Sequence, residues 1–268
     1  MSPITALAGG GGGTDDGRPL TWVGQVSARV DYETVSFNSG QLTATIDGKA
    51  CMLTKMDWEP RWLIIDQLNI ECSYPVWDNG IDGYDAEGRF CRWVNGSTTI
   101  LCRKTIKNPV RPAFSDSQIA IGGENILIVM NRTGKPCEET LNLGKLNLTS
   151  VTIADEIGGI YFTATENDGK SMLYLAHKTK AGYRFMPMEM KAEQVCFGAQ
   201  RLYLVDKWGV TSWFIGSNGK LCRDAIIDTA SPHVLCGGDG DQVVFLTGYG
   251  GINSVGNPPD GKGISPSQ

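Results

Sequence analysis

The sequence predicts an all-β protein, and within that class a β-propeller of about six blades. Three observations predict it. Strand-like runs follow one another with no convincing helical stretch, glycine makes up 34 of 268 residues, and one type of glycine turn recurs along the chain. Short strands, many turns and a period of roughly 40 residues are the pattern of radially repeated four-stranded sheets. Five to seven blades fit the length. A β-sandwich, or a pair of them, is the alternative, because it produces the same strands and turns without a strict period.

Taken along the chain, the start resists packing: Gly9 to Gly13 are five consecutive glycines. Residues 1–18 are therefore expected to form a flexible arm. The stretch also lacks the basic and apolar regions of a secretion signal, which predicts assembly in the cytoplasm. Residues 19–255 read as a single propeller-like domain. Residues 256–268, with Pro258-Pro259 and a Ser/Pro finish, read as a Pro/Gly/Ser-rich tail.

Inside the domain, strands come in consecutive sets. Ile160 to Thr165, Ser171 to Ala176 and Tyr183 to Met188 form one set, separated by Asn167-Asp-Gly169 and Lys180-Ala-Gly182. Asp-Gly between β-rich runs signals a hairpin, because glycine takes the positive φ of a tight turn. Arg201 to Val205, Val210 to Ile215 and Leu221 to Ile226 form the next set. A turn of the form Gly-Lys/Arg-x-Cys recurs at Gly48, Gly88, Gly134 and Gly219, with Gly169 carrying Met172 in place of cysteine and Gly261 a degenerate copy. Successive glycines of this series stand 40, 46, 35, 50 and 42 residues apart. Gly169 and Gly219 follow different strands of their sets, so this series does not keep one phase.

Composition excludes several functions. With a net charge of −5, no basic surface dominates, so nucleic acid is not the expected partner. The longest clean apolar run, Ile126 to Met130, is far shorter than a membrane helix requires. Two histidines, His177 and His233, leave little for a zinc site or a Ser-His-Asp triad, and both are expected at the surface or rim. The eight cysteines include no Cys-x-x-Cys pair and read as buried, reduced thiols.

Four sets of residues raise chemical expectations. Asp78, Asp82, Asp85 and Glu87 form the densest carboxylate cluster, and Asp78, Asp82 and Gly83 occupy positions 1, 5 and 6 of a calcium loop. Gly80 and Arg89 stand where two further ligands belong, so calcium is a candidate and no other cofactor is expected. Asp57, Asp66, Asp78 and Asp82, with Trp58, Trp62 and Trp77, compose a candidate sugar platform, in which paired carboxylates would serve glycoside hydrolysis. Ala164 to Ser171 matches a relaxed phosphate-loop pattern, but a strand rather than a helix follows it, and Glu166 and Asp168 would repel the anion. Finally, Thr165 to Met172 resembles the Asp-box hairpin of sialidase-type propellers, with Asn167 in place of its Asp and Met172 in place of its Trp. That motif implies blade architecture, not catalysis.

Residues that a fold needs recur, whereas residues that chemistry needs are scattered. Across residues ~20–255 the combination resembles propeller-like bacteriophage virion components, such as tail, head–tail junction or nozzle proteins; the likeness is one of architecture. It implies a non-enzymatic assembly protein of the virion whose partners are further copies of itself and other structural proteins. Contacts would then come from the arm, at Leu7, Gly9 and Gly13, and from the end, at Gly248 and Tyr249. The alternative is a carbohydrate-binding or glycoside-hydrolase propeller.

Overall fold

The computed structural model describes residues 12–13, 19–55, 63–132, 138–216, 220–228, 233–240 and 242–256. Its strands, in chain order, form five antiparallel sheets. β1 (Gly12–Gly13) and β2 (Pro19–Gln25) belong to a sheet completed only by the end of the chain. β3 (Asp31–Asn38), β4 (Gln41–Ile46), β5 (Lys49–Lys55) and β6 (Leu63–Glu71) form the next. β7 (Ser73–Trp77), β8 (Ile81–Tyr84), β9 (Phe90–Val94) and β10 (Ser97–Cys102) form the third. The largest contains β11 (Ala113–Phe114), β12 (Gln118–Asn131), β13 (Glu138–Ala154), β14 (Gly159–Thr165), β15 (Ser171–Thr179) and β16 (Gly182–Lys191). β17 (Gln194–Gly198), β18 (Arg201–Asp206), β19 (Gly209–Ile215) and β20 (Leu221–Asp228) follow. β21 (Val234–Asp239), β22 (Gln242–Leu246) and β23 (Gly251–Gly256) join β2 in the order β1-β2-β23-β22-β21. The sheets stand around an axis as a β-propeller, and the sandwich alternative falls away.

Counted by hydrogen-bonded sheets there are five blades; counted by the segments lining the axis there are six positions. The six-stranded sheet fills two of them because β13 serves twice. Its first half pairs with β12, from Ile126↔Asn142 to Met130↔Glu138, and its second half pairs with β14, from Leu148↔Ala164 to Ala154↔Gly159. The axial lining comes from β3, β7, the segment ending in β11, the second half of β13, β17 and β21.

Six apolar layers separate these six positions, and strand alternation explains their composition. Along β12, Ile119, Ile121 and Ile128 face Tyr84 and Phe90 of the preceding blade. Ala120, Leu127 and Val129 face the other way, toward Phe162 and Tyr174. Along β18, Leu202 and Leu204 pack with Tyr161 and Leu173, while Tyr203 and Val205 pack with Val243 and Phe245. The apolar runs in the sequence are strands buried on both faces. Closure uses the same device, as Val23 of β2 joins Val244 and Ile252 against Val35, Leu42 and Leu53.

The described hairpins joining the second and third strand of a blade turn at Gly48, Gly88, Gly169, Gly209 and Gly250. The described glycines of this set all have positive φ. Gly209 and Gly250 take the places that Gly219 and Gly261 were expected to hold, which restores one phase to the repeat. Gly134, Gly219 and Gly261 lie outside the described residues, as does Cys137. The seven described cysteines are free thiols, buried except for the half-buried Cys222. Burial pushes Cys196 and Cys236 up to about 12. No helix of the described chain is long and apolar enough to cross a membrane.

Near the axis the inner strands nearly touch. A Cβ on Gly238 would lie 1.9 Å from the Phe197 carbonyl oxygen, and one on Gly237 would lie 2.2 Å from that of Phe37. Both obstacles are backbone, so they do not yield by side-chain rotation. Gly238→Ala is expected to destabilise the protein by about 2 kcal/mol or more, measured by chemical denaturation. A loss below ~0.5 kcal/mol would show that the inner strands have slack.

Candidate functional site

The axis itself does not hold the site. Its cavity is about 40 Å³, room for little more than a few waters. Arg111 fills that end of the channel: Nε donates to Ser36 Oγ at 3.2 Å, Nη2 to the Glu33 carbonyl at 2.6 Å, and Nη1 to the Leu235 carbonyl. One guanidinium thus ties the blades of β3 and β21 to the segment before β11.

The carboxylate cluster proposed for calcium is reorganised by arginines. Asp78 and Asp82 are 2% and 0% exposed. Arg92 donates to Asp82 through Nε at 2.7 Å and Nη2 at 2.6 Å, and the same Nη2 reaches Asp78. Arg132, at the end of β12, takes the other Asp78 oxygen and donates from Nη1 to the Ser115 carbonyl at 2.8 Å. Asp85 and Glu87 form a separate group on Arg89, each at 2.7 Å. The calcium-loop expectation is corrected for a geometric reason. Asp82 and Gly83 lie inside β8, and Asp78 closes a tight hairpin with its N–H on the Gly80 carbonyl at 2.9 Å. Among the described residues no three His, Cys, Asp or Glu groups converge on a metal position. Burial pushes the Asp82 carboxyl up to about 6, against the opposing pull of its bonds from Arg92.

The described members of the expected sugar platform do not come together. Asp66 is exposed on β6, whereas Trp77 packs with Cys72, Ile81 and Trp93 between two blades. Asp57, Trp58 and Trp62 lie outside the described residues, as do Leu7 and Gly9. Gly13 pairs with Pro19 at the edge of its own sheet, and Gly248 and Tyr249 belong to the turn between β22 and β23. His233 is buried rather than at the rim, and His177 is half-buried on β15.

An aromatic cavity of about 480 Å³ opens instead between the blade of β13–β16 and that of β17–β20. Its aromatic wall comes from the Asp206-Lys207-Trp208-Gly209 hairpin and from Trp213 of β19. Asp206 shapes this turn: Oδ1 accepts the Trp208 N–H at 2.7 Å, and Oδ2 accepts the Thr211 hydroxyl at 3.0 Å. Thr211 Oγ1 in turn accepts the Trp213 indole N–H at 2.9 Å. The hairpin therefore holds Trp208 out at 49% exposure while Trp213 is fixed beside it. Lys207 Nζ lies 4.6 Å from the Trp208 ring centroid. Arg223 is the cross-strand neighbour of Trp213. The opposite wall is Gly169, Ser171, Met190, Lys191 and Glu193, so the Asp-box-like hairpin forms part of the rim. It turns as expected: Gly169 has φ +79°, and Lys170 pairs with Asp168 at 2.5 Å.

Sequence reasoning missed Trp208, Trp213, Lys191, Glu193, Asp206 and Arg223. One signal was present: a tryptophan before the hairpin glycine, where Gly48, Gly88 and Gly169 follow Asp47, Glu87 and Asp168.

No protein-family model and no curated protein matches the chain. Solved structures share its fold at low identity. A virginiamycin B lyase from Staphylococcus aureus, solved with quinupristin, superposes with a TM-score of 0.56 and 16% identity over 92% of this chain and 94% of the other. A putative gluconolactonase gives 0.57 and 9% over 90% and 92%. A Trichoderma reesei carbohydrate-active enzyme of family AA12 gives 0.51 and 10% over 96% and 100%. At such identities the likeness shows the propeller fold alone. These neighbours correct the expectation of a non-enzymatic virion or tail assembly protein: they are enzyme propellers, and nothing links the chain to a virion.

The buried Asp–Arg network makes a pH-dependent prediction. The folded state holds the Asp82 proton more tightly than a free side chain of ordinary value 3.8 does. Its contribution is therefore fully present below about pH 4 and is lost as pH rises through about 6. Arg92→Ala leaves two buried carboxylates short of a partner and is expected to cost ~3–5 kcal/mol at pH 7. The cost shrinks at pH 5, where Asp82 takes up a proton. Urea unfolding at both pH values checks this; an equal loss at both would show that Asp82 does not titrate in this window.

Proposed function

We propose that the protein binds a saccharide in the cavity between the blade of β13–β16 and that of β17–β20. The observation that carries this reading is the Trp208–Trp213 wall, exposed over about 480 Å³ and flanked by polar and charged side chains. The volume falls within the ~300–1,000 Å³ of small-molecule sites. A sugar ring offers an apolar C–H face and an equatorial rim of hydroxyls. Indole faces bury the first at little entropic cost, and Glu193 accepts from the second. Ser171 Oγ supports the reading as well. It is buried beside the cavity without a partner among the described residues, and a ligand hydroxyl would satisfy it.

A hydrolytic version of this reading rests on Glu193 and Asp206, the two carboxylates of the cavity. Asp206 is committed through both oxygens to its hairpin, which leaves Glu193 as the group to donate or accept a proton. Binding is thus the primary reading, and turnover abolished by Glu193→Gln would extend it to hydrolysis.

Trp208→Ala is expected to weaken saccharide binding roughly tenfold, measured by calorimetry or by indole fluorescence across an oligosaccharide panel. Stability should change by no more than ~0.5 kcal/mol, because the ring is exposed. Unchanged affinity for every binding saccharide would overturn this site.

A further inference from the structure

We infer that the ligand of the Trp208–Trp213 cavity is an acidic saccharide, whose anionic group is taken by Arg223 and Lys191. This rests on the saccharide reading of the same cavity and narrows it. Five charged side chains line the space: Lys191, Lys207 and Arg223 against Glu193 and Asp206. They are not equivalent. Asp206 is held by the Trp208 amide and the Thr211 hydroxyl, and Lys207 lies over the Trp208 ring. Among the described residues, no hydrogen bond or ion pair engages the side chain of Arg223 or Lys191. The uncommitted charge of the cavity is therefore two cations against the single carboxylate of Glu193.

Placement gives these cations a direction. Arg223 projects from β20 directly beside Trp213, its cross-strand partner. Lys191 closes β16 on the facing blade, beside Met172 in the cross-strand register. A ring lying on the indoles would be approached by one cation from each wall. Arginine's planar fork matches a carboxylate or sulfate through two parallel bonds, and lysine supplies a point charge. Four other arginines are committed to carboxylates: Arg89, Arg92 and Arg132 each pair with an aspartate, and Arg201 pairs with Asp224 at 2.9 Å. Asp224 follows Arg223 in the chain, yet its carboxylate serves Arg201 and leaves Arg223 to the cavity. Glu193 supplies the hydroxyl acceptor that keeps the site selective for a sugar acid over a bare anion.

The test titrates the full chain with digalacturonate, its dimethyl ester and a sulfated disaccharide, followed by calorimetry at low and physiological salt. Digalacturonate or the sulfated sugar should bind at least tenfold more tightly than the uncharged ester, and the preferred one identifies the anionic group. Arg223→Gln should lower affinity for the acid roughly tenfold or more and leave the ester unaffected. Lys191→Gln should reduce the acid preference by a smaller factor that shrinks with added salt. If the ester and both acidic sugars bind equally, or if Arg223→Gln changes nothing, this inference is overturned while the saccharide reading stands. If no saccharide binds, charged or neutral, both fall.

Discussion

Ring closure is the interaction on which the rest of this structure depends. β2, from the start of the described domain, hydrogen bonds to β23 at its end, from Leu20↔Val255 to Gln25↔Gly251. A row of antiparallel blades has two exposed edges and two uncovered apolar faces. Placing β2 beside β23 buries Val23 with Val244 and Ile252 against the β3–β5 blade, so the last face meets the first. All six apolar layers then have two sides, and every inner strand is held in one ring. This closure also accounts for Gly248 to Gly256, which are drawn into the fold as a turn and a strand.

Closure compresses the axis, and that compression decides where a ligand can go. Glycines 198, 237 and 238 stand where neighbouring backbone leaves no space for a Cβ. Arg111 spends its donors on a serine hydroxyl and two carbonyls across the channel. The centre is filled by strand backbones and one guanidinium, so binding is displaced outward to the clefts where hairpins of adjacent blades diverge. Five such hairpins are described, and the one bearing Trp208 stands beside the aromatic cavity of about 480 Å³. Its turn differs from the Gly-Lys/Arg-x-Cys pattern of Gly48 and Gly88, which send Cys51 and Cys91 into the core. At Gly209 the residue before the glycine is a tryptophan directed outward.

The sequence made the architecture readable because propeller folding is local. Strand alternation and positive-φ glycines act within a few residues, so Gly48, Gly88 and Gly169 announced their hairpins and Leu202 to Val205 announced a strand buried on both faces. The phase was misread at the fifth position, where Gly219-Lys-x-Cys imitates the repeat one hairpin late and Gly209 carries the true turn. The site was less legible because it depends on neighbours distant in sequence. Asp78 and Asp82 resembled ligands only while Arg92 and Arg132 were not seen beside them. Trp77 looked like a platform until Ala50, Leu68 and Ile70 of the adjacent blade were seen in the apolar layer that holds it. Trp208 and Arg223 are 15 residues apart in a strand-rich stretch without an obvious motif, and only the fold brings them to one wall facing Lys191.

What separates the two charged groups is the state of their partners. Asp78, Asp82, Arg92 and Arg132 balance one another in charge, and each is engaged by another member. Such a network pins β8 and β9 to the end of β12, and a ligand could enter it only by displacing a guanidinium from a buried carboxylate. That cost is large, because an unpaired buried charge is far less stable than a solvated one. The Trp208 cavity is the converse case. The side chains of Arg223 and Lys191 and the Ser171 hydroxyl are uncommitted among the described residues, and Trp208 stands half exposed, so a ligand there gains contacts without breaking an ion pair. Density of charge in the sequence therefore pointed to the self-satisfied group, whereas unfilled bonding capacity in the folded chain points to the binding site.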